Sequence, residues 1–345
     1  MLIEENKALA PFTTFGIGGR ARWFVKAAIE ADVADAMVWA EERELPVFTL
    51  GGGSNLLVSD DGFPGLVVQI ALKGLEFEDG LLRAGAGEDW DACVDAATRA
   101  GLAGIECLAG IPGTVGGTPV QNVGAYGQEV AGSIERVRAF DVKARTYVEL
   151  ENQDCRFAYR RSRFNAEDRG KYIVSRVDYR LKPGGSPTLR YVDLQRAFSA
   201  GSEPTLVEVA AAVRRIRQGK GMLMVEGDPD CRSAGSFFKN PVVDVSELAR
   251  MAAVAGKEPP RFPAGTGAEN AGRGKVPAAW LIEHAGFGKG YSLGPAAISS
   301  RHTLALINKG EATAKDILAL AERIRLGVES MFGVRLEIEP VLVGF

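Results

Sequence analysis

Histidine and cysteine are scarce in this chain of 345 residues. His284 and His302 are the only histidines, and the four cysteines, Cys93, Cys107, Cys155 and Cys231, form no Cys-x-x-Cys pair. Such spacing is poor material for a zinc site or a disulfide framework and leaves buried free thiols as the expectation. Two histidines also leave little from which to build a Ser-His-Asp hydrolase, so acids and bases must come mainly from other side chains. Charge of either sign is not in excess, the net being −3, which gives no general electrostatic reason to bind nucleic acid or an anionic membrane. No apolar run approaches the roughly 18 residues of a membrane span. The start, Met1-Leu2-Ile3-Glu4-Glu5-Asn6, lacks the basic and apolar regions of a signal peptide. A cytoplasmic protein without metal is expected.

Glycine, in contrast, is plentiful and clustered. From Gly110 to Gly127 the chain reads Gly-Ile-Pro-Gly-Thr-Val-Gly-Gly-Thr-Pro-Val-Gln-Asn-Val-Gly-Ala-Tyr-Gly, six glycines in eighteen residues. Glycine costs conformational entropy on folding, so such a cluster belongs where φ is positive or where backbone must approach a ligand closely. A second loop, Leu50-Gly51-Gly52-Gly53-Ser54-Asn55, follows the strand-like run Leu45 to Leu50. Two loops of this kind suggest one extended, phosphate-bearing cofactor. A Rossmann unit would need G-x-G-x-x-G between a strand and a helix and an acidic residue about twenty positions on, and neither loop complies. Consecutive glycine N–H groups forming an anion nest, with Ser54 and Asn55 adding side-chain bonds, are the remaining ligand design. Two tight structural turns are the alternative.

Periodicity predicts a chain of mixed α and β, long enough for about two domains. Helices are expected over Ala31 to Glu44, Asp89 to Ala100, Thr205 to Arg217, Val245 to Ala255, Ala278 to Ala285 and Ala312 to Met331, the last ended by Gly333. Strands are expected at Leu45 to Leu50, Leu56 to Val58, Leu66 to Leu72, Leu81 to Ala84, Val137 to Val142, Thr146 to Leu150, Tyr172 to Leu181, Thr303 to Ile307 and Val334 to Ile338. The break Pro183-Gly184-Gly185-Ser186-Pro187 marks a domain boundary near 185 to 215.

Five motifs carry a resemblance. Phe12-Thr13-Thr14-Phe15-Gly16-Ile17-Gly18-Gly19, Leu50 to Leu57, Ala109 to Gly117, Gln121 to Gly127 and Ala234-Gly235-Ser236-Phe237-Phe238-Lys239-Asn240-Pro241 together strongly resemble the UDP-N-acetylenolpyruvoylglucosamine reductase family, in the expected order over nearly the whole chain. The resemblance implies an α+β fold: a vanillyl-alcohol-oxidase/PCMH-type FAD-binding domain over 1–200, with subdomains about 1–68 and 69–200, and an α+β substrate-binding domain over 201–345 whose C-terminal strand contributes to the active site. It implies NADPH-driven reduction of UDP-N-acetylglucosamine enolpyruvate to UDP-N-acetylmuramate for peptidoglycan synthesis, by a monomer acting on a small UDP-sugar. FAD is then held by Gly51, Gly52, Gly53, Ser54, Asn55, Gly110, Gly113, Thr114, Gly116, Gly117, Asn122, Gly124 and Ala125. Neither His284 nor His302 lies near the glycine loops in sequence, so the flavin is expected to be non-covalent.

Hydride addition to an enolpyruvyl group develops negative charge, so the site needs a cation, a hydrogen-bond donor and an acid that protonates carbon. By resemblance Arg160, in Tyr159-Arg160-Arg161-Ser162, binds the carboxylate and stabilises the enolate, with Arg161 the confounding neighbour. Ser236 becomes the proton donor and Glu339 a polarising carboxylate, with Glu337 the fallback because Ile338 stands where the family commonly has proline. On bare chemistry the same residues read as a surface arginine pair, a structural serine and a solvated strand face. The resemblance assigns UDP contacts to Lys220, Asn240, Lys275, Lys289 and His302, a sugar or diphosphate contact to Tyr126, and a lid role to Tyr191. The element Arg190-Tyr191-Val192-Asp193-Leu194 resembles the subclass with a tyrosine-bearing substrate loop. Two other readings are an FAD-dependent sugar or alcohol oxidase of the same fold family and a catalytically idle flavin-binding protein.

Overall fold

A computed structural model describes residues 1–199, 201–264 and 272–345. Two compact units emerge, and neither is one stretch of chain. The first comprises Met1–Lys7, Ala21–Gly53 and Phe63–Gly219; the second comprises Ala8–Arg20, Ser54–Gly62 and Lys220–Phe345.

Two larger sheets and two short two-stranded ones make up the β-structure described in the first unit. In the four-stranded sheet the order is Ile3–Ala8, Arg20–Ala27, Phe63–Ile70, Val47–Leu50, and the last three strands run parallel. In the five-stranded sheet, Thr146–Glu151, Ile134–Asp141, Tyr172–Arg180, Leu81–Gly85 and Leu75–Glu78 are all antiparallel to their neighbours. Four helices accompany them: α1 (Glu30–Glu41), α2 (Trp90–Arg99), α3 (Val192–Gln195) and α4 (Leu206–Gly219). Helix α2 starts where Asp89 accepts the Ala92 N–H at 2.8 Å, and its Cys93, Val94 and Ala97 face inward. Trp90 and Tyr179 fill the core, and each satisfies its polar atom: the indole donates to Leu108 O at 3.1 Å and the phenol pairs with Thr118 Oγ1 at 2.7 Å.

The second unit is built on α5 (Val245–Ala255), α6 (Ala278–His284) and α7 (Ala314–Phe332), with small sheets Val242–Asp244/Arg273–Lys275/Phe262–Pro263 and Ser292–Leu293/Ala296–Ile298/Leu306–Asn308. The expected stripe on α7, Ile317, Leu320, Ala321, Ile324 and Val328, is buried throughout. Thr313 and Asp316 form a capping box at its start, Asp60 accepts the N–H groups of Ala314 and Lys315, and Gly333 ends it at φ 68°. Asp60 belongs to an N-terminal excursion, as do Phe15, Ile17 and Leu57 of the same core. Thr14 Oγ1 donates to Ser233 O at 2.6 Å and Asn308 Nδ2 to Phe15 O at 3.0 Å, which explains why the Phe12 to Gly19 motif stands so far from its partners in sequence.

One expected strand is corrected. Val334 to Ile338 keeps the predicted alternation, with Val334 and Leu336 buried and Arg335 and Glu337 exposed, yet among the described residues it forms no regular strand, being paired by the isolated bridge Phe238 to Ile338 and the bond from Lys239 N–H to Glu337 O. The regular C-terminal strand is Val341–Val343, parallel to Leu56–Val58. All four cysteines are free and buried, and burial pushes the thiols of Cys93, Cys107 and Cys155 up to about 12, as inert core residues should be.

Candidate functional site

In the first unit the two glycine loops meet main chain to main chain. A Cβ on Gly52 would stand 2.5 Å from Gly113 Cα, and one on Gly51 would stand 3.0 Å from Thr114 Oγ1. At Gly52 only glycine permits that approach, since the atoms it meets are main chain. Gly53 and Gly113 take φ of 64° and 126°. Gly117 is exposed with open space where a side chain would be, whereas Gly116 is a packing glycine, set 2.7 Å (by its absent Cβ) from Ala86 Cβ. Thr114 Oγ1 is buried and has no hydrogen-bond partner among the described residues. An orphaned hydroxyl costs about 1–3 kcal/mol. A bare hydroxyl beside a cradle that any Cβ would fill is what a phosphate-bearing group such as FAD requires, so the residues fit it.

The long loop is anchored at both ends of its first peptide. Gly110 donates its N–H to Asp91 Oδ1 at 2.6 Å, and its carbonyl accepts Arg217 Nε at 2.9 Å. Asp91 is itself held bidentate by Arg214. Arg217 is only 8 % exposed; burial pulls its pKa below the ordinary guanidinium value, and the Tyr126 phenol hydrogen-bonds it. Further along, Gly124–Ala125 and Gln128–Glu129 form a hairpin with Tyr126 and Gly127 at its tip, φ 48° and 85°. That is the type I′ pattern, in which asparagine is the usual first residue and tyrosine is a costly choice. Tyr126 meets the Tyr191 ring edge-on, centroids 5.3 Å apart, while Tyr191 itself is largely exposed. Asn122 spends its side chain on protein partners: Nδ2 donates to Glu129 and to Ala158 O, and Oδ1 accepts the Ala131 N–H.

The bond from Asn122 leads to the turn that carries Arg160. Ala158 and Arg161 exchange N–H···O bonds at 2.9 and 3.1 Å, so Tyr159 and Arg160 form a two-residue tip. Arg160 has φ 54°, a left-handed conformation that usually calls for glycine. Such strain costs on the order of 1–3 kcal/mol and is commonly stored at functional positions. Buried Ser162 holds the turn, donating to Val120 O at 2.6 Å, and Asn165 Nδ2 donates to Arg160 O. The two arginines separate cleanly: Arg161 is exposed and paired with Glu167 at 2.6 Å, whereas Arg160 is half-buried.

In the second unit Ser236 and Glu339 lie on adjacent extended segments. Phe237 donates its N–H to Leu304 O at 2.8 Å, and its own carbonyl accepts the Glu339 N–H at 2.9 Å. The half-buried Glu339 and the half-buried Ser236 thus flank one buried residue, Phe237. Glu337 points elsewhere, exposed and 3.3 Å from Lys239 Nζ. Asn240 Oδ1 accepts the Ala278 N–H and so caps α6, and Lys275 pairs with Val242 in the neighbouring strand. His302 is half-buried, and Lys220 and Lys289 both act on it electrostatically. Ser54 and Asn55 join this unit through their carbonyls: Ser54 O faces Thr14 Oγ1, and Asn55 O accepts the Val341 N–H at 2.9 Å.

Sequence reasoning passed over Asp91, Arg214, Arg217, Asp228, Asp230 and Arg301. One of them left a signal: Arg217 falls four residues after Val213 on the buried stripe of α4, where a cation needs a reason.

A family model described as "UDP-N-acetylenolpyruvoylglucosamine reductase, C-terminal domain" matches residues 228–343, and one described as "FAD binding domain" matches residues 21–142. A UDP-N-acetylenolpyruvoylglucosamine reductase of Streptomyces coelicolor is 48% identical over 350 aligned positions, covering 99% of this chain and 90% of the relative. One from Thermobifida fusca is 44% identical, covering 99% of this chain and 98% of the relative. Among solved structures, the Thermus caldophilus UDP-N-acetylenolpyruvylglucosamine reductase aligns with a TM-score of 0.68 at 29% identity over 99% of both chains.

Proposed function

The chain belongs to the UDP-N-acetylenolpyruvoylglucosamine reductase family, and from that premise we propose how its own residues divide the work. It is an FAD-dependent oxidoreductase that uses NADPH to reduce UDP-N-acetylglucosamine enolpyruvate to UDP-N-acetylmuramate in peptidoglycan synthesis. Its fold is α+β with a flavin domain of the vanillyl-alcohol-oxidase type. Full-length relatives that are reductases leave the oxidase and idle-protein readings without support.

Bound FAD supplies the hydride that the chain itself has no means to carry. The N-terminal region, 1–200, holds the cofactor through Gly51 to Asn55, through Gly110, Gly113, Thr114, Gly116 and Gly117, and through Asn122, Gly124 and Ala125. Asn122 acts by fixing the loop, since its amide is spent on protein groups. The region 201–345 binds the UDP-sugar through Lys220, Asn240, Lys275, Lys289 and His302, with Tyr126 and Tyr191 as the substrate contact and the lid. Arg160 takes the substrate carboxylate with its planar fork and steadies the charge that develops on it. Arg161 is excluded from that role because Glu167 already engages it. Ser236 delivers the proton to carbon, and Glu339, one hydrogen bond along the same pairing, polarises the carboxylate end. The pairing of Ser236 to Phe238 with Leu304 on one side and Ile338 to Glu339 on the other is the observation that carries this assignment. We place the reaction in the cytoplasm, where NADPH and nucleotide sugars are made, and assign it to a monomer. Size-exclusion chromatography tests the last point.

The assignment is tested by separating the half-reactions. Ser236→Ala is expected to leave flavin reduction by NADPH intact in stopped-flow traces and to slow reoxidation by the enolpyruvyl substrate about 10²–10⁴-fold, the usual contribution of a positioned acid. Equal loss in both halves removes Ser236 as proton donor.

A further inference from the structure

The loop Ser299 to Leu304 is more heavily braced than a substrate contact requires. Ser299 Oγ accepts the N–H groups of Arg301 and His302 at 3.1 and 3.3 Å. Buried Asp230 accepts both the N–H and the hydroxyl of Ser300, at 3.0 and 2.6 Å. The Arg301 guanidinium bridges two carboxylates, Nε to Asp230 at 3.2 Å and Nη2 to Asp228 at 2.5 Å. Burial works against the Asp228 carboxylate, but the Arg301 bond and the Asp230 N–H outweigh it and hold its pKa below the usual range. Gly221, the residue after Lys220, has φ 64° and would place a Cβ 3.0 Å from Asp230 Cβ. The main chain beside Lys220 therefore packs against Asp230, the residue that also holds the His302 loop.

Within this brace one bond fixes the chemistry of the imidazole. The Leu304 main-chain N–H donates to His302 Nδ1 at 3.1 Å. Nδ1 must then present a lone pair, and a neutral ring carries its hydrogen on Nε2. Protonation would set N–H against N–H at that contact. The groups around the ring agree. Burial comes first and the positive charges of Lys220 and Lys289 second in holding its pKa down to about 4, and only Glu283 opposes them. Glu283 Oε1 is already engaged by the Thr303 hydroxyl, and the Asp228, Asp230 and Arg301 charges are engaged with one another.

We propose that His302 serves the nucleotide as an uncharged Nε2–H hydrogen-bond donor, its tautomer set by the Leu304 main chain and its position by the Asp228–Arg301–Asp230 brace. The inference rests on the UDP-sugar reading and sharpens it. The corner takes a nucleoside diphosphate, with the lysines meeting charge and the imidazole meeting one acceptor oxygen at a fixed angle. Asp230 and Arg301 are positioning residues, since they act only through the loop.

Full-length holoenzyme labelled with ¹⁵N-histidine tests this directly, because the chain has only two histidines; His302→Gln identifies the resonance. At pH 7 the His302 ring is expected to show the Nε2–H pattern and to keep it below pH 5.5. An imidazolium or Nδ1–H pattern at pH 7 overturns the proposal whatever the substrate. UDP titrated by calorimetry supplies the second arm. Glutamine can set its amide nitrogen where Nε2 stood and asparagine cannot, so H302Q is expected within about threefold of wild-type affinity and H302N about tenfold weaker, the worth of one hydrogen bond. Equal affinity in the two variants overturns the donor role. Arg301→Gln is expected to weaken UDP about tenfold and to mix the two tautomers at unchanged flavin content. A single Nε2–H pattern with wild-type UDP affinity in that variant removes the brace. Absence of UDP binding by the wild type would overturn the nucleotide-sugar reading, a result distinct from a wrong tautomer.

Discussion

The glycine loops of the first unit and the His302 corner of the second are built on opposite plans. Around Gly52 and Gly113 the site is main chain pressed on main chain, and side chains enter only at the edge, as Thr114 does. Around His302 the main chain is ordinary loop, and carboxylates, hydroxyls and a guanidinium do the holding. Where backbone presses on backbone, as at Gly52, no added atom fits. A site made of side chains tolerates change in proportion to the bonds lost.

The sharpest way to break that contrast is Gly52→Ala. Its methyl would meet Gly113 Cα at 2.5 Å and Thr114 N at 2.9 Å, atoms that cannot swing aside. Overpacking of about 3 kcal/mol corresponds to FAD held at least about 100-fold more weakly, seen as a colourless protein after gel filtration. Flavin retained at wild-type strength would show that the loops yield and the contrast is false. Next comes Asp230→Asn, which keeps an acceptor for Ser300 and loses the charge facing Arg301. UDP affinity is expected to fall about tenfold with flavin content unchanged, and calorimetry with an absorbance spectrum reads both. Loss of flavin in that variant would mean the two plans are not independent.

A smaller effect concerns pH. The folded His302 stays neutral to about pH 4, whereas its ordinary pKa is 6.5. The unfolded chain therefore binds a proton that the folded chain refuses. Stability is full above pH 6.5 and declines as pH falls toward 4; His302→Gln should flatten that segment of a urea-midpoint profile, and an unchanged profile would deny the depressed pKa. The smallest effects belong to exposed ion pairs. Arg161→Ala and Glu337→Gln each remove a surface pair worth about 0–1 kcal/mol and should leave kcat/KM within about threefold. A hundredfold loss in either would return the catalytic assignment to the neighbour of Arg160 or of Glu339.

The same contrast explains what was legible in the sequence. A backbone site must spell itself in glycine, so Gly51 to Gly53 and Gly110 to Gly127 stood out before any fold was known. Long periodic helices were equally plain: the stripe of α7 and its Gly333 stop fell where expected. The Val334 to Ile338 segment shows the limit. Alternation reports which side chains are buried, and it did so correctly, but a ladder also needs a neighbour that stays in register, and the Phe237 to Lys239 segment pairs with Glu337 to Glu339 only around the single bridge Phe238–Ile338. Side-chain braces are written in common polar residues at no fixed spacing, so Asp228, Asp230 and Arg301 looked like any solvated loop. Arg160 and Ser236 emerged only because the family motif singled them out, since a strained turn at φ 54° leaves no trace in a Tyr-Arg-Arg-Ser string.

Asp60, Phe15, Ile17 and Leu57 carry a consequence for how the protein is made. They complete a core whose other members begin after Gly219, so during synthesis these apolar segments leave the ribosome some two hundred residues ahead of their partners and must wait without burying themselves wrongly. A gene fragment starting at Lys220 would lack the Asp60 cap of α7 and the strand beside Val341–Val343. Supplied in trans, a peptide spanning Ala8 to Gly62 is the piece that such a fragment would need.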